Sequence, residues 1–178
     1  MILPPVDPEV AGLTLRRHLD AYWSNRDLGE KGWQQHEVDD LHIIVSMPAI
    51  RNDGGTDQYH VRLGAEYYDA YPPTVMFVTP EEGWPRARAG TMWWPTLVNP
   101  PPWIHFHDTR EYYDQGRAFA EGQLVCCSVT AEYYMSDHGA TETQRWVAGE
   151  RTVAATLSRL AEVLRPPYYG GPSAPRNP

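Results

Sequence analysis

The chain divides into stretches with a clear hydrophobic period and one long stretch with none. In residues 13–27, LTLRRHLDAYWSNRD, Leu15, Leu19, Tyr22 and Trp23 recur at helical spacing with Arg and Asp opposite, which predicts an amphipathic helix ending near Gly29. LHIIVSMPAI (41–50) predicts a strand broken at Pro48, and RNDGGTD (51–57) is a turn cluster. In QYHVRLGAEYY (58–68), Tyr59, Val61 and Leu63 alternate with polar neighbours, and TVMFVTP (74–80) predicts a strand closed by Pro80. Together these give a three-strand meander. From Glu81 to Gly122 the period dissolves into a Trp-, Pro- and His-rich excursion, a length of irregular chain that is most often functional or packed over the surface. QLVCCSVTAEYY (123–134) restores a strand-like run. Val153, Leu157, Leu160 and Leu164 then step at helical intervals until Pro166 and Pro167 stop the helix.

That order predicts an α+β domain over residues 13–167, an antiparallel meander sheet with helices against one face. Residues 1–12 read as an N-terminal extension and 168–178 as a flexible Pro/Gly-rich tail. The 178 residues, 42% hydrophobic and 12% aromatic, suit one core. A formal charge of −8 with no basic run argues against nucleic acid. No apolar stretch approaches the ~18 residues of a membrane span, and MILPPVDPEV lacks the charged and apolar regions of a signal peptide. A soluble, cytoplasmic protein is expected.

Both cysteines, Cys126 and Cys127, are adjacent. Neighbouring Cα atoms lie ~3.8 Å apart, short of the ~4.4–6.8 Å that an ordinary disulfide needs, so free thiols are expected. On an extended strand they point to opposite faces, leaving at most one both exposed and functional.

Three segments resemble the ubiquitin-conjugating-enzyme (UBC) family, particularly its divergent bacterial members. AEYYDAYPPTVMFVTP (65–80) is similar to the family's strand, Tyr-Pro and Phe-x-Thr segment. GQLVCCS (122–128) is similar to its Gly-x-(Ile/Val)-Cys-Leu, and RWVAGERTVAATLSRLAEVLRPP (145–167) to its Trp, spacer, helix and closing Pro. They occur in the family's order over about residues 10–170. The resemblance implies a UBC-like fold and an enzyme that accepts a ubiquitin-like protein from an activating enzyme as a cysteine thioester and passes it to an amine. No nucleotide or organic cofactor takes part in that step, and a deconjugating metalloprotease is an expected companion.

Either cysteine fits the motif. Cys126 is preferred, because Cys127 then falls where the family has a buried apolar residue, a role free cysteine fills. The family's His-Pro-Asn is replaced by Trp84-Pro85-Arg86, so the oxyanion donor must come from elsewhere. Asn99 in the excursion is one candidate. Asp137 and His138 lie eleven and twelve residues beyond Cys126, and His138 matches members that place a His after the cysteine. His105 and His107 share one face if extended and can line the same cleft. Two rival readings use the same chain: a zinc site from His105, His107, Cys126 and His138, and a non-catalytic UBC-like binding module. Lys31 is the only lysine beside fourteen arginines, a pattern expected from codon bias or from avoidance of self-acylation near a thioester.

Overall fold

The computed structural model describes residues 3–24, 28–29, 31–108, 123–136 and 140–174. Helix α1 spans Pro8–Ser24. It starts earlier than hydrophobic spacing alone predicts because Asp7 caps it, its Oδ1 accepting from the Val10 N–H at 3.1 Å, and Pro8 fits the first helical position. Ala11, Leu15, Leu19 and Tyr22 are its buried stripe. Gly12 lies against the backbone carbonyl of Asp40 so closely that a Cβ would collide with it. Arg16 completes the dock, donating to the carbonyls of Asp39 and Asp40 at 2.6 and 2.7 Å.

Four antiparallel strands follow in the order β1 (Gln34–Glu37), β2 (His42–Ile50), β3 (Thr56–Gly64), β4 (Thr74–Val78). The meander therefore has one more strand than expected, since QQHE carries no apolar alternation to announce β1. Pro48 does not break β2: β1 pairs only as far as Ser46, so Pro48 sits where that side of β2 is already an edge. Ile43, Val45, Met47, Tyr59, Val61, Leu63, Val75 and Phe77 fill the inner face and pack against α1 and the C-terminal helix. That helix, α3 (Val153–Val163), is capped by Thr152, whose side chain accepts from the Ala154 N–H.

The cysteine run is not one long strand. β7 is Gln123–Cys126, and α2 (Ala131–Met135) follows a turn. Thr130 makes that turn: its hydroxyl hydrogen-bonds the carbonyls of Val125 and Cys127 at 2.6 and 3.0 Å and lies 3.3 Å from the Cys127 N–H. Here a local side-chain bond outcompetes the strand ladder. β7 pairs antiparallel with β6 (His105–Asp108).

The expected tail also acquires structure. β8 (Tyr169–Pro172) pairs with β5 (Pro95–Leu97), so the folded unit extends past residue 167. Tyr169 is buried and donates to Asp57 at 2.7 Å, while its hydroxyl also meets that of Tyr59 at 2.7 Å. Asp57 in turn pairs with Arg51.

The described part of the excursion, residues 81–108, packs on the sheet. Trp84 and Trp93 lie against the outer face, where His36, Ser46 and His60 form a hydrogen-bonded chain at 2.8 and 2.7 Å. Burial, followed by the neighbouring His36, lowers the His60 pKa to about 4. Trp94 and Phe106 stack edge-on against Phe77 from the other side.

Candidate functional site

The outward backbone groups of β4 meet side chains and the short backbone stretch 85–87 instead of a full fifth strand. The Gln123 amide accepts from the Phe77 N–H at 2.5 Å and donates to the carbonyls of Phe77 and Ala87, both at 3.0 Å. Glu132, from α2, accepts from the Val75 N–H at 2.8 Å. These bonds hold β7 and α2 against the sheet, and β7 carries Cys126 at its end.

Cys126 is directly opposite His105 in the β6–β7 register, and Leu124 is opposite His107. Opposed residues on antiparallel strands leave the ladder on the same face with Cβ atoms ~4.5–5.5 Å apart, although Cys126 is buried toward Ser136 and Glu132 while His105 is exposed. His105 is exposed and stacks on His107, ring centroids 5.8 Å apart. Both histidines line a cleft of about 250 Å³ with Trp94, Pro95, Leu97 and Ser173.

At most one of the two thiols is expected to be exposed, and neither is. Cys126 is 4% exposed and Cys127 2%, so neither faces solvent, and Cys127 lies beyond the strand end, packed in the core. Burial raises both pKa values. For Cys126 a hydrogen bond with Ser136 partly offsets burial, and the Glu132 carboxyl adds to it. Cys127 is pushed up to about 12, burial again leading. Neither thiol is a resting thiolate at neutral pH.

The other predicted residues fare differently. Asn99 is an exposed turn residue with φ 47°, and among the described residues no hydrogen bond joins it to Cys126. Asp137 and His138 lie outside the described residues. Of the four-ligand zinc set, the described members His105, His107 and Cys126 do not converge: among the described residues no three His, Cys, Asp or Glu side chains are grouped to hold a metal ion. Trp84-Pro85-Arg86 serves packing and pairing. Trp84, with φ 49°, stacks on His36 and His60, Pro85 accepts from the Thr79 N–H at 2.8 Å, and Arg86 bridges to Val78.

A second cluster was not anticipated. A cavity of about 220 Å³ is lined by His42, Arg62, Glu66, Tyr67, Thr74, Met76, Gln123, Glu132 and Met135. His42 bridges Asp39 and Glu66, its Nδ1 and Nε2 donating to their carboxylates at 2.9 and 3.0 Å. Its hydrogen bond to Glu66 raises its pKa against the opposing effect of burial. Burial works to raise Glu66, but the bond and charge of His42 outweigh it and the net shift is downward. Gly64 leaves room for this arrangement, because a Cβ there would strike the Thr74 hydroxyl and the Glu66 carboxylate. Glu132 is 9% exposed, its Oε2 has no hydrogen-bond partner, and burial raises its pKa to about 8. The available sequence signal was the interruption of an apolar run by Gln123 and Glu132, polar residues that burial must satisfy.

Among the described residues, no helix is long and apolar enough to cross a membrane. Neither the family models nor the curated proteins searched contain a match to this chain.

Proposed function

We propose that this chain is a UBC-like acyl carrier that takes a ubiquitin-like protein onto Cys126 and passes it to an amine. The observation that supports the reading most is the in-register pair of Cys126 and His105 at the end of β7, in a chain whose α1–β1–β2–β3–β4 order agrees with the family resemblance. In charging, the Cys126 sulfur attacks the thioester carbonyl on the activating enzyme, whose own cysteine leaves as a thiolate. The Cys126 proton passes to an imidazole, and among the described residues His105 stands opposite Cys126 in the β6–β7 register. In discharge an amine attacks the new thioester, the Cys126 sulfur leaves, and the amine proton goes to the same base. The cleft bounded by His105 and His107 accommodates the extended tail of the incoming protein. Charging requires Cys126 to be uncovered, because a buried, protonated thiol is a poor nucleophile.

That same burial favours a second reading, a non-catalytic module of this fold in which both thiols are core residues. One experiment separates them. The chain is incubated with its cognate activating enzyme, ubiquitin-like protein and ATP, and resolved without reductant. A reductant-sensitive adduct formed by the parent and by Cys127→Ala, but not by Cys126→Ala, supports the carrier. Binding of the ubiquitin-like protein with no covalent adduct supports the module.

A further inference from the structure

The Glu132 cavity opens away from the His105–His107 cleft, and ligand binding there does not depend on acyl transfer. Its wall presents hydrogen-bond donors that the protein leaves unused. The Arg62 guanidinium donates from Nη2 to the Met76 sulfur at 3.2 Å, and among the described residues no carboxylate pairs with it. Glu66 is already engaged by His42 and Thr74. Glu132 is more than nine-tenths buried with Oε2 unpartnered, and it faces the same space. Such an orphaned group in a native interior calls for an explanation.

We propose that this cavity binds a small carboxylate, its oxygens accepting from the Arg62 guanidinium and from the protonated carboxyl of Glu132. Guanidinium donors match carboxylate geometry, and an un-ionised carboxylic acid adds an O–H donor that a carboxylate anion would lack. Met76, Met135 and Val75 give the wall an apolar portion. The 220 Å³ volume is below the ~300–1,000 Å³ of drug-sized pockets. A short-chain acid or the last residue of a peptide is the right size, and both present the same group.

The protonation state is set by all the groups around Glu132. Burial dominates. Glu66 raises its pKa further, while the Val75 N–H, its own backbone N–H and the Thr130 hydroxyl lower it. The Cys126 and Cys127 thiols beside it are protonated at neutral pH, their own pKa values raised. Across the cavity stand Arg62, Tyr67 and His42, with Asp39 behind His42. With a Glu132 pKa of about 8, the donor form prevails at neutral pH and is lost above it.

The test is calorimetric titration of the full chain with butyrate, butyramide and butylammonium, and with a tripeptide bearing either a free or an amidated C-terminus. The expected result is binding of butyrate and not butyramide. It should weaken roughly thirtyfold between about pH 7 and about pH 9.5 as the competent fraction of Glu132 falls. Arg62→Met should abolish binding. Glu132→Gln, which keeps an N–H donor and the acceptor for Val75, should retain it with the pH dependence removed. Thermal unfolding of both variants verifies that they fold. Preference for the free-acid tripeptide over butyrate assigns the site to a chain terminus, and the reverse assigns it to a metabolite. The proposal is overturned if none of the carboxylates binds, if Arg62→Met leaves binding intact, or if butylammonium binds instead, tightening with pH and failing in Glu132→Gln.

Discussion

At the scale of single residues, two groups carry testable consequences of burial. Alkylation of the folded protein followed by mass spectrometry should modify Cys126 before Cys127, because burial raises the Cys126 pKa against a partly offsetting Ser136 bond and drives Cys127 to about 12. Both should react more slowly than a free thiol, and the Cys126 rate should climb with pH as thiolate forms. Faster labelling of Cys127 would move the proposed carrier role to it. Glu132 makes a separate prediction about stability. Its folded pKa of about 8 lies above the ordinary 4.5, so in that interval the unfolded chain loses the proton first. Folded stability then falls as pH rises from the lower value to the upper. Glu132→Gln removes that slope, and its advantage over the parent in urea unfolding should grow from about pH 5 to about pH 8, toward a ceiling on the order of 4 kcal/mol. An unchanged slope would mean Glu132 is not held protonated.

At the scale of elements, the joins between segments matter more than the segments. Gln123→Ala leaves the Phe77 N–H and the Ala87 C=O without their side-chain partner inside the protein, while the Phe77 C=O keeps the Ala87 N–H at 2.9 Å. Chemical denaturation should register a loss of about 3 kcal/mol, since each buried orphan costs about 1–3. Tyr169→Phe cuts β8 from Asp57 and Tyr59 and should cost about 1–2 kcal/mol with the core otherwise filled, measurable as a lowered melting temperature. What the sequence made legible follows the same division. Helices α1 and α3 and strands β2 to β4 each carry their own hydrophobic period, and each is present with shifted ends. β1, β5 and β8 do not, because QQHE, PTL and YGGP become strands only through partners far along the chain. Cys126 and His105 were both readable as candidates. Their opposition was not, since it is a product of the β6–β7 register. The Arg62–Glu66–Glu132 cavity was invisible for the same reason, being assembled from β3, the segment after it and α2.

At the scale of the whole molecule, the four-strand sheet is enclosed by α1 and α3 on its inner face and by Trp84 and Trp93 on its outer face, with β7 packed against β4 and β8 against β2. A cleft-lining position tests whether this arrangement serves acyl transfer: His107→Lys should accumulate a self-conjugate that resists reductant and depends on Cys126, because tethering makes the acylation intramolecular. Normal charging without that product would separate the cleft from the thioester. The side-chain closure of β4 has one more consequence, for assembly. A sheet grows by strand addition wherever a row of backbone N–H and C=O groups stands open. Gln123, Glu132 and the backbone of residues 85–87 occupy that row along β4, so among the described residues β1 is the open side of this sheet, four residues long and ending in Glu37. A short, polar edge is a poor template for another chain, so fibril formation should be slow in the parent. Gln123→Ala and Glu132→Ala, by reopening β4, should hasten it even under conditions where most of the protein remains folded.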